Sequence, residues 1–391
     1  MSDDFRYTFE NVREFFPHTS EMVYFNSAAY GPFSTPLKDA IVQNIDQRLA
    51  AARDDSHYAY TVADQLRADY AGLIGAEKKE VGIGMHTTFG LNVAAFGLPL
   101  KAGDEVLISD VEFPAAFYTW RGAAEARGLT VRLVKSTNRC FDIGEFAKQI
   151  TPKSRVLCIS YVQFFNGYRN DLEQLGEICR KHDMYFVVDG IQGMGIEPVD
   201  VKALGIDVFT SGCQKWMLSP QGCGFFYLGD RVRDLMVPPF LSWVGADWGM
   251  NYTDLFHYDK PLYDSARRFE MGYYVVLNLM GMKAAVKYFQ DLGLGAIRQH
   301  NLKLIDRLAD YIRGNPFYAI TSNMEDKYRS SILTFSCKDT ARLHRTILDT
   351  KIILVMREGS IRVSIHLFNN ESDVDRLIDV LDRFSRTPAN Q

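Results

Sequence analysis

Between residues 81 and 228 the chain sets short runs of β-forming residues between stretches of helical periodicity, and this alternation limits the fold more than any other feature. The runs are VGIGM from 81, EVLISD from 105, TVRLVK from 130, RVLCISYV from 155, YFVVD from 185, DVFTSG from 207 and GFFYL from 224. They are apolar throughout rather than alternating, as in strands covered on both faces, and parallel sheets are the ones so covered. Between two of them, DLEQLGEICRKHD places Leu172, Leu175, Ile178 and Cys179 on one helical face. Strand and helix in alternation predict an α/β fold, a mostly parallel seven-stranded sheet with helices on both sides.

Past residue 270 the texture changes. YYVVLNLMGMKAAVKYFQDLG reads as a long helix closed by Gly293, followed by a second near 296 to 313. Then come the strand-like SILTFSC, a helix around 339 to 349, IILVM, the strand IRVSIHLF and a last helix, DVDRLIDVLDRF. This order predicts a smaller α+β domain at 271–391, a large α/β domain at 26–270, and an N-terminal segment, 1–25, packed on the small domain.

Of the 391 residues, 44 Lys+Arg oppose 48 Asp+Glu, so 44 − 48 = −4. That near balance excludes a nucleic-acid or membrane-surface partner as the expectation. The six cysteines (140, 158, 179, 213, 223 and 337) form no C-x-x-C pair and no zinc-like spacing. No metal is expected. The acidic, aromatic N-terminus is unlike a secretory signal, and no apolar run approaches the roughly 18 residues of a membrane span. A cytoplasmic protein with reduced thiols is the expectation.

The most informative segment is 184–228. Asp189 ends a buried strand, and ligands of open α/β sheets sit beyond the carboxyl ends of strands. Twenty-six residues later Lys215 follows another such strand, so both are expected on one rim. A lysine and a carboxylate placed this way suit pyridoxal phosphate (PLP), which needs an imine and a negative group at its ring nitrogen. For an isolated lysine, a solvated surface position is the default, and for an isolated aspartate a strand-end turn. The pair and the apolar Trp216-Met217-Leu218 favour the cofactor.

At this point the chain resembles the aminotransferase class V family of fold-type I PLP enzymes, which includes cysteine desulfurases, cystine C–S lyases, kynureninases and isopenicillin-N-epimerase-like proteins. The resemblance rests on VDGIQGMG and SGCQKWMLSPQGCGFFYL, with YFNSAAYGPF, GMHTTFGLN, GDEVLISDVEFPA, RRFEMGYY and IRVSIHLFNNESDVDRL in the same order along the chain. It implies that Lys215 carries the cofactor as an aldimine and moves protons, that Asp189 pairs with the pyridine nitrogen, and that Gln192 bonds the phenolic oxygen. Thr87, Thr88, Ser211 and Gln214 match phosphate ligands, with Gln214 where relatives more often have His. Helix capping is the plainer role for Thr87 or Thr88, and the two roles are compatible.

Phe113 falls where relatives place a ring against the cofactor face, and Tyr273 where Gly-Thr often donates to the phosphate from a partner subunit. Arg362 matches the arginine that clamps the substrate α-carboxylate, with Arg357 a second candidate. The resemblance also implies a homodimer whose sites lie at the subunit interface. Trp243 belongs to an aromatic stretch, 242–274, that suits either a bulky substrate or a dimer interface.

Classical desulfurases carry a mobile-loop cysteine before the substrate arginine. This chain has none from Lys338 to Ile361, and Cys213, although next to Gln214 and Lys215, reads as structural. The leading expectation is therefore β-elimination from an S-substituted cysteine or other α-amino acid through an external aldimine and quinonoid. Transamination, epimerisation and oxidative or decarboxylating chemistry share those early steps. A different class, a catalytically silent or dinucleotide-binding protein, finds little support in GIQGMG, whose spacing departs from G-x-G-x-x-G.

Overall fold

All seven predicted runs join one sheet. The computed structural model describes residues 5–51, 55–249, 253 and 255–387. It opens with a two-residue strand, β1 (Val23–Tyr24), and two helices, α1 (Thr35–Leu49) and α2 (Asp55–Leu73). Next come β2 (Val81–Gly84), α3 (Thr87–Gly97), β3 (Glu105–Ser109), α4 (Pro114–Arg127), β4 (Thr130–Val134) and α5 (Ile143–Gln149). The large sheet is completed by β5 (Ser154–Ser160), α6 (Leu172–Lys181), β6 (Tyr185–Asp189), β7 (Val208–Gly212) and β8 (Gly224–Leu228), with the short α7 (Asp230–Arg233) after it.

The strand order is β2-β8-β7-β6-β5-β3-β4. Every neighbouring pair is parallel except those of β8, which runs antiparallel to β2 and β7. Strands β6 to β8 are buried at nearly every residue. Strand β4 is not, and Leu133 is exposed. It lies at one edge of the sheet with a neighbour on one side only, and, unlike β2 at the other edge, it is not covered on both faces as expected. Apolar side chains of α2, α6 and α8 cover one face of the sheet, and those of α3 and α4 the other.

The chain steps outward from β3 to β4, then returns to place β5 on the other side of β3. That reversal opens a crevice between the carboxyl ends of β3 and β5, where open α/β sheets bind ligands.

The C-terminal part begins with α8 (Val276–Leu292) and α9 (Leu294–Gly314), joined at Gly293, whose φ of +78° turns the chain between them. It continues through β9 (Ala319–Ile320), β10 (Ile332–Ser336), α10 (Thr340–Leu348), β11 (Ile352–Ile353), β12 (Val355–Arg357), β13 (Ser360–Ser364) and α11 (Glu371–Ser385). The four-stranded antiparallel sheet β12-β13-β10-β9 has its own core with α9, α10 and α11. Helix α8 instead packs on α1 and α2. Strand β1 pairs with β11, and Arg13 forks Asp373 on α11, so both contacts bind the N-terminal segment to the C-terminal part.

A buried ion pair ties α2 to the end of the aromatic stretch. Arg67 Nε and Nη2 donate to Glu270 at 2.8 and 2.7 Å, and Glu270 Oε1 accepts from Ile83 N of β2 at 2.8 Å. Both side chains are almost fully buried. Glu270→Ala would strand the guanidinium without its counter-charge, so urea unfolding of the variant is expected to show a loss of about 3–5 kcal/mol. A loss within half a kcal/mol would mean that the pair is not closed.

Candidate active site

Strands β5, β6 and β7 lie side by side and in parallel, so Ser160, Asp189 and Thr210–Gly212 meet along one rim. Asp189 is buried, and Oδ1 accepts from Ile191 N at 2.9 Å. The hydrogen bonds among the described residues supply no donor to Oδ2. Burial pushes this carboxyl up to about 6, against the Ile191 N–H and the Lys215 charge, which pull it down.

Lys215 stands in the loop after β7. Burial pulls its amine down to about 8; Asp189 opposes that shift, while the charges of Arg362 and Arg357 add to it. Its Nζ lies 5.5 Å from the centre of the Phe113 ring. Several bonds fix the loop. Gly31 N donates to Gln214 O at 2.8 Å and Leu218 N to Lys215 O at 3.1 Å. A Cβ on Gly31 would meet Lys215 O at 2.3 Å, so this approach needs glycine. Trp216 Nε1 donates to Gln192 Oε1 at 2.7 Å, and Gln192 Nε2 donates to Ala28 O at 3.0 Å. From the small sheet's side, His366 bonds Trp216 O through Nε2 at 2.7 Å.

On the other side of the rim, α3 starts at Thr87, and its cap is His86, whose Nδ1 accepts from Phe89 N at 3.1 Å. The sequence offers Thr87 or Thr88 as the cap; this is corrected, since the cap falls on His86 and Thr87 already lies in the helix. Thr87 Oγ1 instead accepts from Gly212 N at 2.9 Å, and Thr210 Oγ1 donates to Thr87 O at 3.1 Å. The free N–H groups of α3 thus sit against the carboxyl end of β7, with Thr88 half-buried beside them. Ser211 is buried and donates to Gly212 O at 3.0 Å, while Gln214 Oε1 is buried without a partner.

Arg362 on β13 reaches the same cleft, and its buried guanidinium donates from Nη1 to Phe164 O at 2.5 Å. Nε has no partner. Burial and the charge of Arg357 both work against its positive charge. An arginine stays charged under such pressure, which marks a place for an anion. Arg357 is exposed and shares a sheet face with Arg362, because Val355 pairs with Arg362 in the register. Phe113 and Phe164 meet edge to face, 5.2 Å between centres, as a wall beside Lys215.

Tyr273 and Trp243 stack on each other 6.4 Å apart on an exposed surface, and Tyr60 meets Tyr273 edge-on. Of the aromatic stretch, Tyr252 lies outside the described residues. Sequence reasoning missed three polar residues at the rim. Glu112, Gln163 and His366 all stand inside motifs it quoted or beside them, and a polar residue flanked by apolar ones was the available signal. All six cysteines are buried or half-buried, and Cys337 packs on the small core. A cavity of about 980 Å³ lies elsewhere, between α2, α6 and the α8–α9 corner, and neither Lys215 nor Asp189 lines it. No helix among the described residues is long and apolar enough to cross a membrane.

Comparison with known proteins gives a consistent picture. The model of the family described as aminotransferase class-V matches residues 23–377. A probable cysteine desulfurase of Methanothermobacter thermautotrophicus is 24% identical over 401 residues, covering 96% of this chain and 98% of that protein. Among solved structures, the apo cysteine desulfurase of Thermococcus onnurineus NA1 matches with a TM-score of 0.85 at 22% identity, over 98% of this chain and 99% of the other. A lysine-to-alanine mutant of C-DES with glycine covalently linked to its PLP cofactor matches at 0.86 and 20% identity, over 94% and 98%. These structural likenesses establish the shared fold.

The lowered Lys215 amine has a direct readout. In cofactor-free protein, its rate of acylation by acetic anhydride is expected to follow the neutral amine, rising through a midpoint near pH 8. A midpoint near the ordinary lysine value of about 10.4 would show that the amine is not buried as described.

Proposed function

We propose, from the premise that the chain belongs to the aminotransferase class V family of PLP-dependent enzymes, that it cleaves the Cβ–S bond of an S-substituted cysteine by β-elimination. One observation carries this reading. Lys215, Asp189 and Arg362 converge on one cleft, while no cysteine is exposed there to accept sulfur. The resulting balance is one S-substituted cysteine and one water giving a thiol, pyruvate and ammonia.

The residues present fit PLP. Asp189 Oδ2 is left for a donor other than protein, as a protonated ring nitrogen would be. The N-terminus of α3, with Thr87 and Thr88, offers donors to a phosphate, while the Ser211 hydroxyl would have to leave Gly212 O to join them. Gln192 has both ends of its amide engaged but keeps a second N–H for the cofactor's phenolic oxygen. Bound PLP supplies an electron sink that stabilises negative charge at the substrate α-carbon.

Lys215, with an amine poised near neutrality, removes the α-proton, and the electron pair left behind expels the thiolate from the β-carbon. Arg362 holds the α-carboxylate through its unpaired Nε edge, and Phe113 lies against the cofactor face. The exposed pair Tyr273 and Trp243 suits contact with a second copy of the chain, across which Tyr273 would reach the partner's site. Arg357, exposed beside Arg362, serves as a further anion contact at the mouth.

The test is a panel of amino acids and S-substituted cysteines assayed for pyruvate, ammonia and free thiol. Pyruvate and thiol released without a keto-acid acceptor is the expected outcome, and turnover of Lys215→Ala is expected to fall at least about a hundredfold. Keto-acid-dependent turnover would reassign the reaction to transamination, and racemised substrate alone to epimerisation.

A further inference from the structure

Glu112 is absent from the roles above, yet it occupies the crevice that the strand order opens. It leaves the turn after β3, one residue before Phe113, and reaches across to the carboxyl end of β5. There Oε1 accepts from Ser160 N at 3.1 Å and from Gln163 Nε2 at 2.7 Å, and Oε2 contacts Ser160 Oγ closely. Gln163 is fully buried. No lysine or arginine pairs with Glu112 among the described residues.

Ser160 is also the residue that faces Asp189 in the β5–β6 register, and Tyr161 N donates to Asp189 O at 2.8 Å. Glu112 therefore bonds the immediate neighbour of the carboxylate that faces the ring nitrogen. Two carboxyl groups share one buried rim.

We propose that Glu112 is a positioning residue for the cofactor, acting through Ser160 and Asp189: it clamps β3 to β5 beneath Phe113, and its own ionisation adjusts how firmly Asp189 keeps the ring nitrogen protonated. This inference rests on the PLP reading above. The bonding accommodates either protonation state. An ionised Glu112 accepts from all three donors, whereas a neutral one keeps Oε1 as acceptor and donates from Oε2 to Ser160 Oγ.

The surrounding groups are few. From β5 comes the Cys158 thiol, whose environment contains both Glu112 and Asp189. From β6 comes Asp189, and from the loop after β7, Lys215 across the Phe113 ring. Arg362 arrives from β13 through Phe164 O, and Asp110 on Glu112's own turn is engaged by Lys135. Burial pushes the Glu112 carboxyl up to about 7; its Ser160 and Gln163 donors oppose that shift and Asp189 adds to it. The switch between the two bonding states thus falls in the physiological range.

The experiment is a pH titration of the visible band of the bound cofactor in holoenzyme, wild type against Glu112→Gln. Glutamine keeps the shape and the bonds but removes the charge. Loss of a nearby negative group makes cofactor protonation harder, so the band's midpoint is expected to fall by about half a unit or more. The variant's thermal midpoint should stay within a few degrees of wild type. An unmoved band overturns the inference. If Glu112→Gln does not fold, Ser160→Ala takes its place: stripping one donor raises the Glu112 carboxyl and must move the inflection near pH 7 upward, and an unmoved inflection overturns the proposal. A wild-type protein that stays colourless with PLP, and whose Lys215 borohydride does not fix to the cofactor, refutes the cofactor reading instead.

Discussion

Asp189 is a fully buried carboxylate with a single protein donor, and the arrangement of the site follows from that imbalance. Taking an ionised carboxylate out of water costs several kcal/mol unless charge and hydrogen bonds answer it. Here Ile191 N and the field of Lys215 answer part of it, leaving Oδ2 to a ligand. The sheet makes such a position tenable. Parallel strands β5, β6 and β7 end together, so Asp189, the Thr210–Gly212 backbone and the first turn of α3 are neighbours by register alone. Gly90 lets α3 come this close, since a Cβ there would lie 2.2 Å from Thr210 Oγ1. Negative charge at the floor and helix N–H groups at the side thereby select a ligand that is cationic at one end and anionic at the other.

The lysine is held from two directions. Trp216, next in sequence, donates through its indole to Gln192, which in turn holds Ala28 near the N-terminus. Its carbonyl accepts from His366, which follows the small-sheet strand carrying Arg362. Leu367 N donates to His366 Nδ1 at 2.8 Å, so the proton lies on Nε2 and points at Trp216 O. Burial pulls His366 down to about 3, against the Trp216 carbonyl, so the ring stays neutral and the bond does not change with physiological pH. The spacing of Lys215 and Arg362 is therefore set by one rigid bridge between the two sheets.

How much of this the sequence disclosed depends on the range of the interactions. The strands were readable because burial on both faces removes the alternation, and α8 and α9 because Gly293 separates two helical periods. Asp189 and Lys215 were readable because a strand terminus dictates where a side chain emerges. Glu112, Gln163 and His366 were not: their apolar flanks hint at burial, but each acts on a residue about 50 or more positions away, which the local sequence does not name. The buried Arg67–Glu270 pair was hidden for the same reason, its partners being 203 residues apart. The α3 cap was misplaced because His86 takes a role that serine, threonine, aspartate and asparagine usually fill. At β4, apolar content alone did not show which strand would be the edge.

The wall made by Phe113 and Phe164 bears on which bond the site can break. A phenyl ring offers no proton; of the titratable groups beside Phe113, Lys215 takes the α-proton in the proposed reaction, and Glu112 is engaged by Ser160 and Gln163. In the proposed reaction, a leaving group that meets this wall receives no proton from it. A thiol, with an ordinary pKa of about 8.5, leaves as its anion with little penalty near neutral pH. A hydroxide, whose conjugate acid has a pKa of about 15.7, does not. On the proposed reading, a wall that offers no proton favours sulfur over oxygen at the substrate β-carbon, and it also favours apolar groups on that sulfur, which gain by leaving water against Phe113 and Phe164.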